Sequence, residues 1–143
     1  MSNQEIVLAF VDSINRRDPS ALGELMADDH RFVDAHGNEV VGRDKMIAGW
    51  RGYFGMFPDY AIEVNEIFEN GESFAMFGLA GGSFQGKPEA SWRLPAALRA
   101  IVRDGRVALW QVFADTKIPF EIIERNTASH NEQRAKGTEQ SEN

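Results

Sequence analysis

The sequence contains no cysteine among its 143 residues. Disulfide bonds, thiolate nucleophiles, iron–sulfur clusters and cysteine-type zinc sites are therefore excluded. Positive charge is also scarce, because 15 Lys and Arg stand against 22 Asp and Glu, which gives a formal net charge of −7. Nucleic acids and anionic membranes are bound by clustered Lys and Arg, so we expect neither as a partner.

Long hydrophobic runs are missing as well. No apolar stretch reaches the ~18–20 residues that cross a bilayer. The first residues, MSNQEIVLAF, have neither the basic region nor the cleavage site of a signal peptide. We therefore expect a cytoplasmic protein. The sequence also lacks the spacing of metal and nucleotide motifs, so we expect no metal and no cofactor.

Helix signals dominate the first half of the chain. Ser2 and Glu5 have the spacing of a capping box, and Asp18-Pro19 reads as the N-cap and first residue of a second helix. We interpret Asp28-Asp29 as a turn, because negative charge is unfavourable at a helix C-terminus, and residues 30–34 as a short extended piece. A third helix carries an apolar stripe and ends before a proline; the stripe consists of Met46, Ile47, Trp50, Tyr53, Phe54 and Phe57.

The second half is predicted to form an antiparallel sheet. Residues 60–65 alternate between apolar and polar side chains, and Asn70-Gly71 is a strong hairpin signal. Asp104-Gly105 predicts a second tight turn, and Asp115 or Thr116 is expected to cap a short helix. Residues 1–125 are therefore expected to form one domain. Residues 126–143 have no aromatic or branched aliphatic side chain and are expected to be a disordered polar tail.

The register of the last hairpin decides which residues point inward. A two-residue turn at Asp104-Gly105 would place Trp110 on the same face as three arginines, Arg93, Arg99 and Arg103. A three-residue loop, 103–105, with a glycine bulge shifts the pairing by one and separates them. We predict the three-residue loop. Trp110 then shares the inner face with Trp92, Leu94, Ala96, Leu98, Ala100, Ala108 and Val112, and the apolar residues left on the outer face are Ile101, Val107, Leu109 and Phe113.

The order of several short motifs identifies a family resemblance. Residues 15–34, NRRDPSALGELMADDHRFVD, resemble the helix–turn–strand segment of the SnoaL-like and ketosteroid-isomerase branch of the nuclear transport factor 2-like superfamily. The shared features there are Asn15, Asp18, Ala27-Asp28-Asp29 and Asp34. Three further segments fit the same branch: Gly42-Arg43-Asp44, FPDY at 57–60 and RDGRVALWQVFAD at 103–115. The resemblance covers residues 4–124.

The resemblance implies both a fold and an assembly. The fold is α+β, a cone-shaped barrel in which a curved antiparallel sheet packs against three N-terminal helices and encloses a deep apolar pocket. The assembly is a homodimer through the outer sheet face. In the isomerase branch, an aspartate at the position of Asp34 is the general base that moves a proton next to a ketone.

The resemblance also shows what this sequence has lost. The isomerase reaction needs two oxyanion donors, whose positions fall here on Phe10 and on Ala96 or Leu98. The epoxide-hydrolase branch places an aspartate two residues after a tryptophan on the last strand, where this chain has Val112. Steroid isomerisation and epoxide hydrolysis by the usual routes are therefore not expected, whereas Asp34 is retained.

Three residues are candidates for chemistry. Asp34 is the predicted base, since desolvation in an apolar cone would raise its pKa; the alternative is a strand-end residue that turns the chain. His36 could share a proton with Asp34, and Tyr53 could donate one hydrogen bond to a ligand. The predicted pocket lining is Phe10, Ile14, His30, Trp50, Phe54, Phe57, Trp92, Leu94, Leu98, Trp110 and Val112.

Two functions of different class follow. The first is a cofactor-free acid–base enzyme, an isomerase, cyclase or dehydratase that acts on a carbonyl compound. The second is a non-catalytic domain that binds a ligand or another protein. In both, a wall of large aromatic side chains favours a small, flat, apolar molecule as the ligand.

Overall fold

A computed structural model describes residues 1–127. The helices are α1 (Asn3–Asn15), α2 (Pro19–Leu25), α3 (Arg43–Met56) and α4 (117–127). The strands are β1 (Met26–Val33), β2 (Glu39–Val41), β3 (Ala61–Asn70), β4 (Ser73–Ser83), β5 (Ser91–Arg103) and β6 (Arg106–Ala114). Of the predicted tail, residues 126 and 127 belong to α4, and 128–143 lie outside the described residues. None of the helices within 1–127 is long and apolar enough to cross a membrane.

Local hydrogen bonds begin the first two helices where the sequence predicts. The Ser2 hydroxyl accepts from the Glu5 amide at 3.1 Å, and the Glu5 carboxylate accepts from the Ser2 amide at 3.3 Å. Asp18 accepts from the Ala21 amide at 3.1 Å, and Pro19 follows as the first helical residue. The predicted capping box and N-cap are confirmed.

The first strand begins earlier than predicted. No turn separates it from α2, because β1 starts at Met26 and runs through the two aspartates. Met26 and His30 are completely buried, whereas Asp28 and Asp29 point to solvent. The turn at Asp28-Asp29 is therefore wrong: the acidic pair occupies exposed positions of a strand, where Arg103 donates to Asp29 at 2.9 Å.

The six strands of the described region form one curved sheet in the order β2-β1-β6-β5-β4-β3. The sheet is unclosed, since β2 and β3 are its two edges, and α1 and α3 pack their apolar residues against its inner face. This is the predicted α+β cone. It differs from a fully antiparallel sheet in one pair, because β1 runs parallel to β6.

The turn between β5 and β6 differs from the prediction. Arg103 pairs with Arg106 across a two-residue turn, Asp104-Gly105. Both turn residues have positive φ, 53° and 74°, which is the pattern of a type I′ hairpin turn. The three-residue loop is therefore wrong.

A bulge nevertheless restores the predicted facing of β6. Val107 pairs with Val102, and Leu109 with Ile101, so that Ala108 is an extra, unpaired residue. Beyond it, Trp110 pairs with Ala100 on the inner face of the sheet, whereas the arginines of β5 lie on the outer face. The bulge also turns Val107 into the core, where its side chain is fully buried, so its predicted outer position is wrong.

A second bulge curves the other end of the sheet. The register between β3 and β4 shifts between Val64 and Glu66. A Cβ at Gly78 would lie 1.7 Å from the Glu63 carbonyl oxygen, which no side chain permits. Glycine at this position therefore lets the two strands approach closely where the cone bends.

Candidate functional site

An aromatic cluster lies in the interior, beside α3 and β5. Its members are Trp50, Tyr53, Phe54, Phe57, Tyr60, Phe84 and Trp92. The rings are in mutual contact: the Trp50 and Phe54 centroids are 5.4 Å apart, and Tyr60 bridges to Tyr53 at 4.9 Å and to Trp92 at 6.0 Å. Helix α3 supplies one wall and β5 the opposite one, so the predicted aromatic residues of both elements meet.

The interior contains a second group of rings, on α1, β1 and β6. Phe10 of α1 packs against Trp110 of β6 at 4.6 Å and against His30 of β1 at 5.9 Å between centroids. All three side chains are completely buried. Phe10 thus lies against two rings that carry nitrogen atoms.

Four ring nitrogens in the interior have no hydrogen-bond partner among the described residues. They are Nε2 of His30 and the indole Nε1 atoms of Trp50, Trp92 and Trp110. All three tryptophans of the sequence are therefore in this state. Buried polar atoms are almost always hydrogen-bonded, because an unpaired one retains its full desolvation cost.

The state of His30 follows from its surroundings. Its Nδ1 lies 2.7 Å from the Val107 carbonyl oxygen, which can only accept, so Nδ1 carries the proton. Desolvation by burial lowers the pKa of His30, and the hydrogen bond to Val107 and the charge of Asp29 offset this only in part. The ring is therefore neutral at pH 7, and Nε2 presents a lone pair to the interior.

Asp34 lies outside the apolar interior, at the turn that joins β1 and β2. Its carboxylate accepts from the backbone amides of His36 and Asn38, both at 2.9 Å, and from the Asn38 side chain at 3.2 Å. Partial desolvation raises the pKa of Asp34, but these hydrogen bonds outweigh it and hold the pKa below its usual value of 3.8. The expected rise in pKa is wrong, and the geometry is that of the chain-turning alternative.

The other two candidate catalytic residues, His36 and Tyr53, have side chains that lie apart from the Asp34 carboxylate. His36 offers its backbone amide to Asp34, and its ring points away: Nε2 lies 2.8 Å from Thr116 Oγ1, and the ring contacts Phe120 of α4 at 5.1 Å. Tyr53 belongs to the aromatic cluster, where burial and the neighbouring Tyr60 raise its pKa. Its hydroxyl is therefore protonated at neutral pH and available as a donor.

The predicted pocket lining is present but packed. Completely buried members are Phe10, Ile14, His30, Phe57 and Trp110; nearly buried ones are Trp50, Phe54 and Leu98; half-buried ones are Trp92, Leu94 and Val112. Two clefts open on the surface, one of about 310 Å³ beside Asp29 and Arg103 and one of about 130 Å³ beside Glu63 and Arg93. Neither is lined by any residue of the predicted lining.

A family model decides the classification. The model of the SnoaL-like domain matches residues 7–110. This chain belongs to the SnoaL-like domain family. The comparison with curated proteins finds no match.

Solved structures place the SnoaL-like chain in the expected fold. A protein named as a SnoaL-like polyketide cyclase from Shewanella denitrificans is 15 % identical, with a TM-score of 0.74 over 86 % of this chain and 97 % of that one. An LEH-like epoxide hydrolase of M. tuberculosis is 16 % identical, with a TM-score of 0.73 over 89 % and 92 %. A ketosteroid isomerase-like protein from Catenulispora acidiphila, in complex with trimethylamine, is 24 % identical, with a TM-score of 0.69 over 76 % and 84 %. At these identities the likeness shows the fold alone.

Two members of the aromatic cluster of this SnoaL-like chain were not predicted from its sequence. Tyr60 alternates with polar residues and was interpreted only as a strand position, and Phe84 lies in a short 3₁₀ helix, Phe84–Gly86, after β4. The available signal was the FPDY motif, in which Tyr60 follows the end of α3 by four residues. Within 1–127, no group of three or more His, Asp and Glu residues is arranged to hold a metal ion.

Proposed function

We propose that this SnoaL-like domain binds a small, largely apolar molecule inside the cone, between α3 and the inner face of the sheet. The observation that carries the proposal is the set of four unpartnered ring nitrogens in an interior otherwise lined by aromatic and aliphatic side chains. Apolar walls with a few polar groups are the usual composition of a small-molecule site. A membrane and a nucleic acid are not expected as partners, because the chain carries a formal net charge of −7.

The polar atoms limit the chemistry of the ligand. Three indole N–H groups can only donate, so the ligand must offer acceptor atoms such as carbonyl or ether oxygens. Apart from tyrosine and tryptophan, Ser13, His30 and Ser83 are the only buried residues with polar side chains in the described region. The interior has no charged residue to neutralise an ion, so the ligand is neutral.

Entry of a ligand requires movement, because the lining is packed. Helix α3 is suited to move: it contains Gly49, Gly52 and Gly55, and each glycine weakens a helix by about 1 kcal/mol relative to alanine. A Cβ at Gly52 or Gly55 would meet no atom within 4 Å, so packing does not require glycine there. The same helix carries Trp50 and Tyr53 of the aromatic cluster, and its displacement would expose the cluster.

A matched pair of small molecules tests the proposal. Indane and 1-indanone have the same bicyclic frame, and only 1-indanone has a carbonyl acceptor. We expect calorimetry to show that both bind, with 1-indanone tighter by about 2–10-fold, the value of one net hydrogen bond. Trp50→Phe, Trp92→Phe and Trp110→Phe each remove one donor, and at least one of them should abolish the preference. Absence of binding of both compounds would overturn the proposal.

A second candidate is a cofactor-free acid–base enzyme with Asp34 as its base, an isomerase, cyclase or dehydratase of a carbonyl compound. It is favoured by membership of a family that includes cyclases and isomerases. The low pKa and the hydrogen bonds of Asp34 weigh against it. Solvent-deuterium exchange at the α-carbon of 1-indanone separates the two functions. Exchange with the wild type but not with Asp34→Asn would establish Asp34 as the base, whereas binding without exchange would leave a binding domain.

We also propose a homodimer through the outer face of the sheet. Phe77 and Phe113 are about half exposed there, and each pairs with Ala97, which makes an apolar row across three strands. Phe68 extends it, with its ring 6.0 Å from that of Phe77. Exposed aromatic patches of this kind mark interaction surfaces.

Sedimentation velocity tests the dimer. Phe77→Glu should give a monomer, because it places a carboxylate at the centre of the row and beside Glu66. Leu8→Glu is the control, since Leu8 is similarly exposed but lies on α1. A wild type that is monomeric at tens of micromolar would contradict the proposal.

The cytoplasm remains the location that the composition predicts.

A further inference from the structure

The larger of the two surface clefts, about 310 Å³, is formed by the start of β1, the start of α3 and the turn between β5 and β6. Three arginines and three aspartates line most of it: Arg43, Arg103, Arg106, Asp28, Asp29 and Asp104. None of them belongs to the aromatic cluster or to the predicted lining of the interior. The cleft is therefore a separate candidate site, and its charged walls are suited to a charged ligand.

Ion pairs hold two of the arginines at the cleft. Arg103 Nη2 donates to both carboxylate oxygens of Asp29, at 2.9 and 3.0 Å, and Arg43 Nη1 lies 3.5 Å from Asp28 Oδ1. The arginine is the less exposed partner in each pair, with 49 % of the side chain exposed against 71 % for Asp29, and 39 % against 94 % for Asp28. Solvent therefore screens the two carboxylates more than the two guanidinium groups.

The third arginine, Arg106, is held without a counter-ion. Its Nη1 donates to the backbone carbonyl oxygens of Glu24 at 3.0 Å and Met26 at 3.4 Å. No ion pair within residues 1–127 involves Arg106. The N–H groups on its Nε and Nη2 have no hydrogen-bond partner among those residues. The backbone thus fixes this guanidinium and leaves three of its five N–H donors for a ligand.

We propose that this cleft binds the phosphate group of a small phosphate monoester, through Arg106 with Arg43 and Arg103 beside it. Guanidinium groups present paired N–H donors that match the oxygen atoms of phosphates and carboxylates. A doubly charged phosphate gains more from three cations than a singly charged carboxylate does. Asp104 also lines the cleft and opposes any anion. Exposed charge pairs contribute little each, so we expect a dissociation constant on the order of 1 mM.

Titration of the full chain with methyl phosphate, followed by ¹H–¹⁵N NMR, tests the proposal. The pH is held near about 8, where the ester carries about two negative charges, and sodium chloride keeps the ionic strength constant. We expect the backbone amides of residues 27–29, 43 and 103–106 to shift. Acetate, a singly charged carboxylate, should bind at least about threefold more weakly.

Substitution of single arginines separates a site from general charge attraction. Arg106→Gln and Arg43→Gln each remove one cation of the cleft, and each should weaken methyl phosphate by about threefold or more. Arg51→Gln is the control, because Arg51 is exposed on α3 and does not line the cleft. It changes the net charge equally and should alter the affinity by less than about 1.5-fold.

A second kind of variant keeps the proposal falsifiable if Arg106→Gln does not fold. Asp104→Asn removes a carboxylate from the cleft, and asparagine suits the positive φ of 53° at this position. It should tighten methyl phosphate by about twofold or more. Glu121→Gln, at an exposed position of α4, makes the same change in net charge and should have a smaller effect.

The outcomes decide between a phosphate site and a solvated charge cluster. Amide shifts confined to the cleft, with the expected order of the variants, support the proposal. Absence of shifts, or an equal loss of affinity in Arg51→Gln and Arg106→Gln, overturns it. Acetate that binds as tightly as methyl phosphate overturns the ligand class. Neither probe has an apolar frame, so these results are independent of whether the interior binds 1-indanone.

Discussion

The side-chain amide of Asn15 forms two hydrogen bonds with the backbone of one residue, Ile62. Its Nδ2 donates to the Ile62 carbonyl oxygen at 2.9 Å, and its Oδ1 accepts from the Ile62 amide at 2.8 Å. Ile62 belongs to β3, an edge strand whose outer backbone groups have no neighbouring strand. The amide at the end of α1 therefore substitutes for a strand at this point and connects the helix to the sheet.

Removal of this amide should cost stability. Asn15→Ala leaves a half-buried N–H and carbonyl of Ile62 unpaired, and we expect the free energy of unfolding to fall by about 1–3 kcal/mol. Gln4→Ala, at an exposed position of the same helix, is the control and should change it by less than about 0.5 kcal/mol. Urea denaturation of the two variants measures the difference. Equal values for both would show that the contact contributes nothing.

Close approach of β3 and β4 makes Gly78 the least replaceable glycine. Gly78→Ala would force a Cβ to within 1.7 Å of the Glu63 carbonyl oxygen unless the strands move apart. We expect a loss of about 3 kcal/mol or more in unfolding free energy, or no folding, because backbone must shift. Gly52→Ala, which meets no atom within 4 Å, should instead stabilise the protein by up to about 1 kcal/mol. A tolerated Gly78→Ala would contradict the strand geometry.

The glycines of α3 should control the rate of ligand entry. In the double variant Gly52→Ala, Gly55→Ala, a stiffer helix opens less often, so we expect slower association of 1-indanone by stopped flow. The dissociation constant should change less than the rate, because neither glycine contacts the aromatic cluster. Hydrogen exchange provides an independent readout, since the amides of α3 should become better protected. Unchanged association with increased protection would show that the ligand enters elsewhere.

Burial of neutral His30 predicts a pH dependence of stability. The unfolded chain binds the imidazole proton with its usual pKa of 6.5, whereas desolvation lowers the pKa in the folded protein. Below pH 6.5 the unfolded state therefore binds more protons, and stability falls with falling pH, by at most about 1.4 kcal/mol per pH unit. This loss of stability with falling pH ends below the pKa that His30 has in the folded protein.

The variant His30→Phe isolates this effect in urea denaturation at several pH values. The free energy of unfolding of this variant should not show the fall below pH 6.5 that His30 causes in the wild type. Asp34 and Asp59 do not interfere, because hydrogen bonds outweigh their partial desolvation and hold both pKa values below 3.8. Their contribution is present above pH 3.8 and is lost only as the pH falls further. Parallel pH profiles of wild type and variant would contradict the neutral state of His30.

The features that were predictable from the sequence depend on residues that lie close together in the chain. Helix starts at Ser2 and Asp18 follow from side chains that bond three residues ahead. The aromatic stripe of α3 follows from helical spacing, and the stripe meets Trp92 as expected. The family resemblance of residues 4–124 is confirmed by the match over 7–110.

Features set by long-range pairing were not predictable in the same way. The parallel pairing of β1 with β6 joins segments that lie almost eighty residues apart, and its pairs at Met26 and Arg31 lie on either side of Asp28 and Asp29. The position of Asp34 depends on where β1 ends, which is at Val33, one residue before it. His30 was predicted only as a lining residue, because its partner is a backbone carbonyl oxygen, that of Val107, which lies 77 residues further along the chain.

The bulge at Ala108 has a consequence for how this hairpin tolerates insertions and deletions. Deletion of Ala108 would remove the unpaired residue and leave the other pairs of β5 and β6 in place, with Trp110 still opposite Ala100. Insertion of one residue into the Asp104-Gly105 turn would likewise lengthen only the loop, as long as Arg103 still pairs with Arg106. A relative that lacks the bulge, or that has a three-residue turn, would therefore keep the same interior.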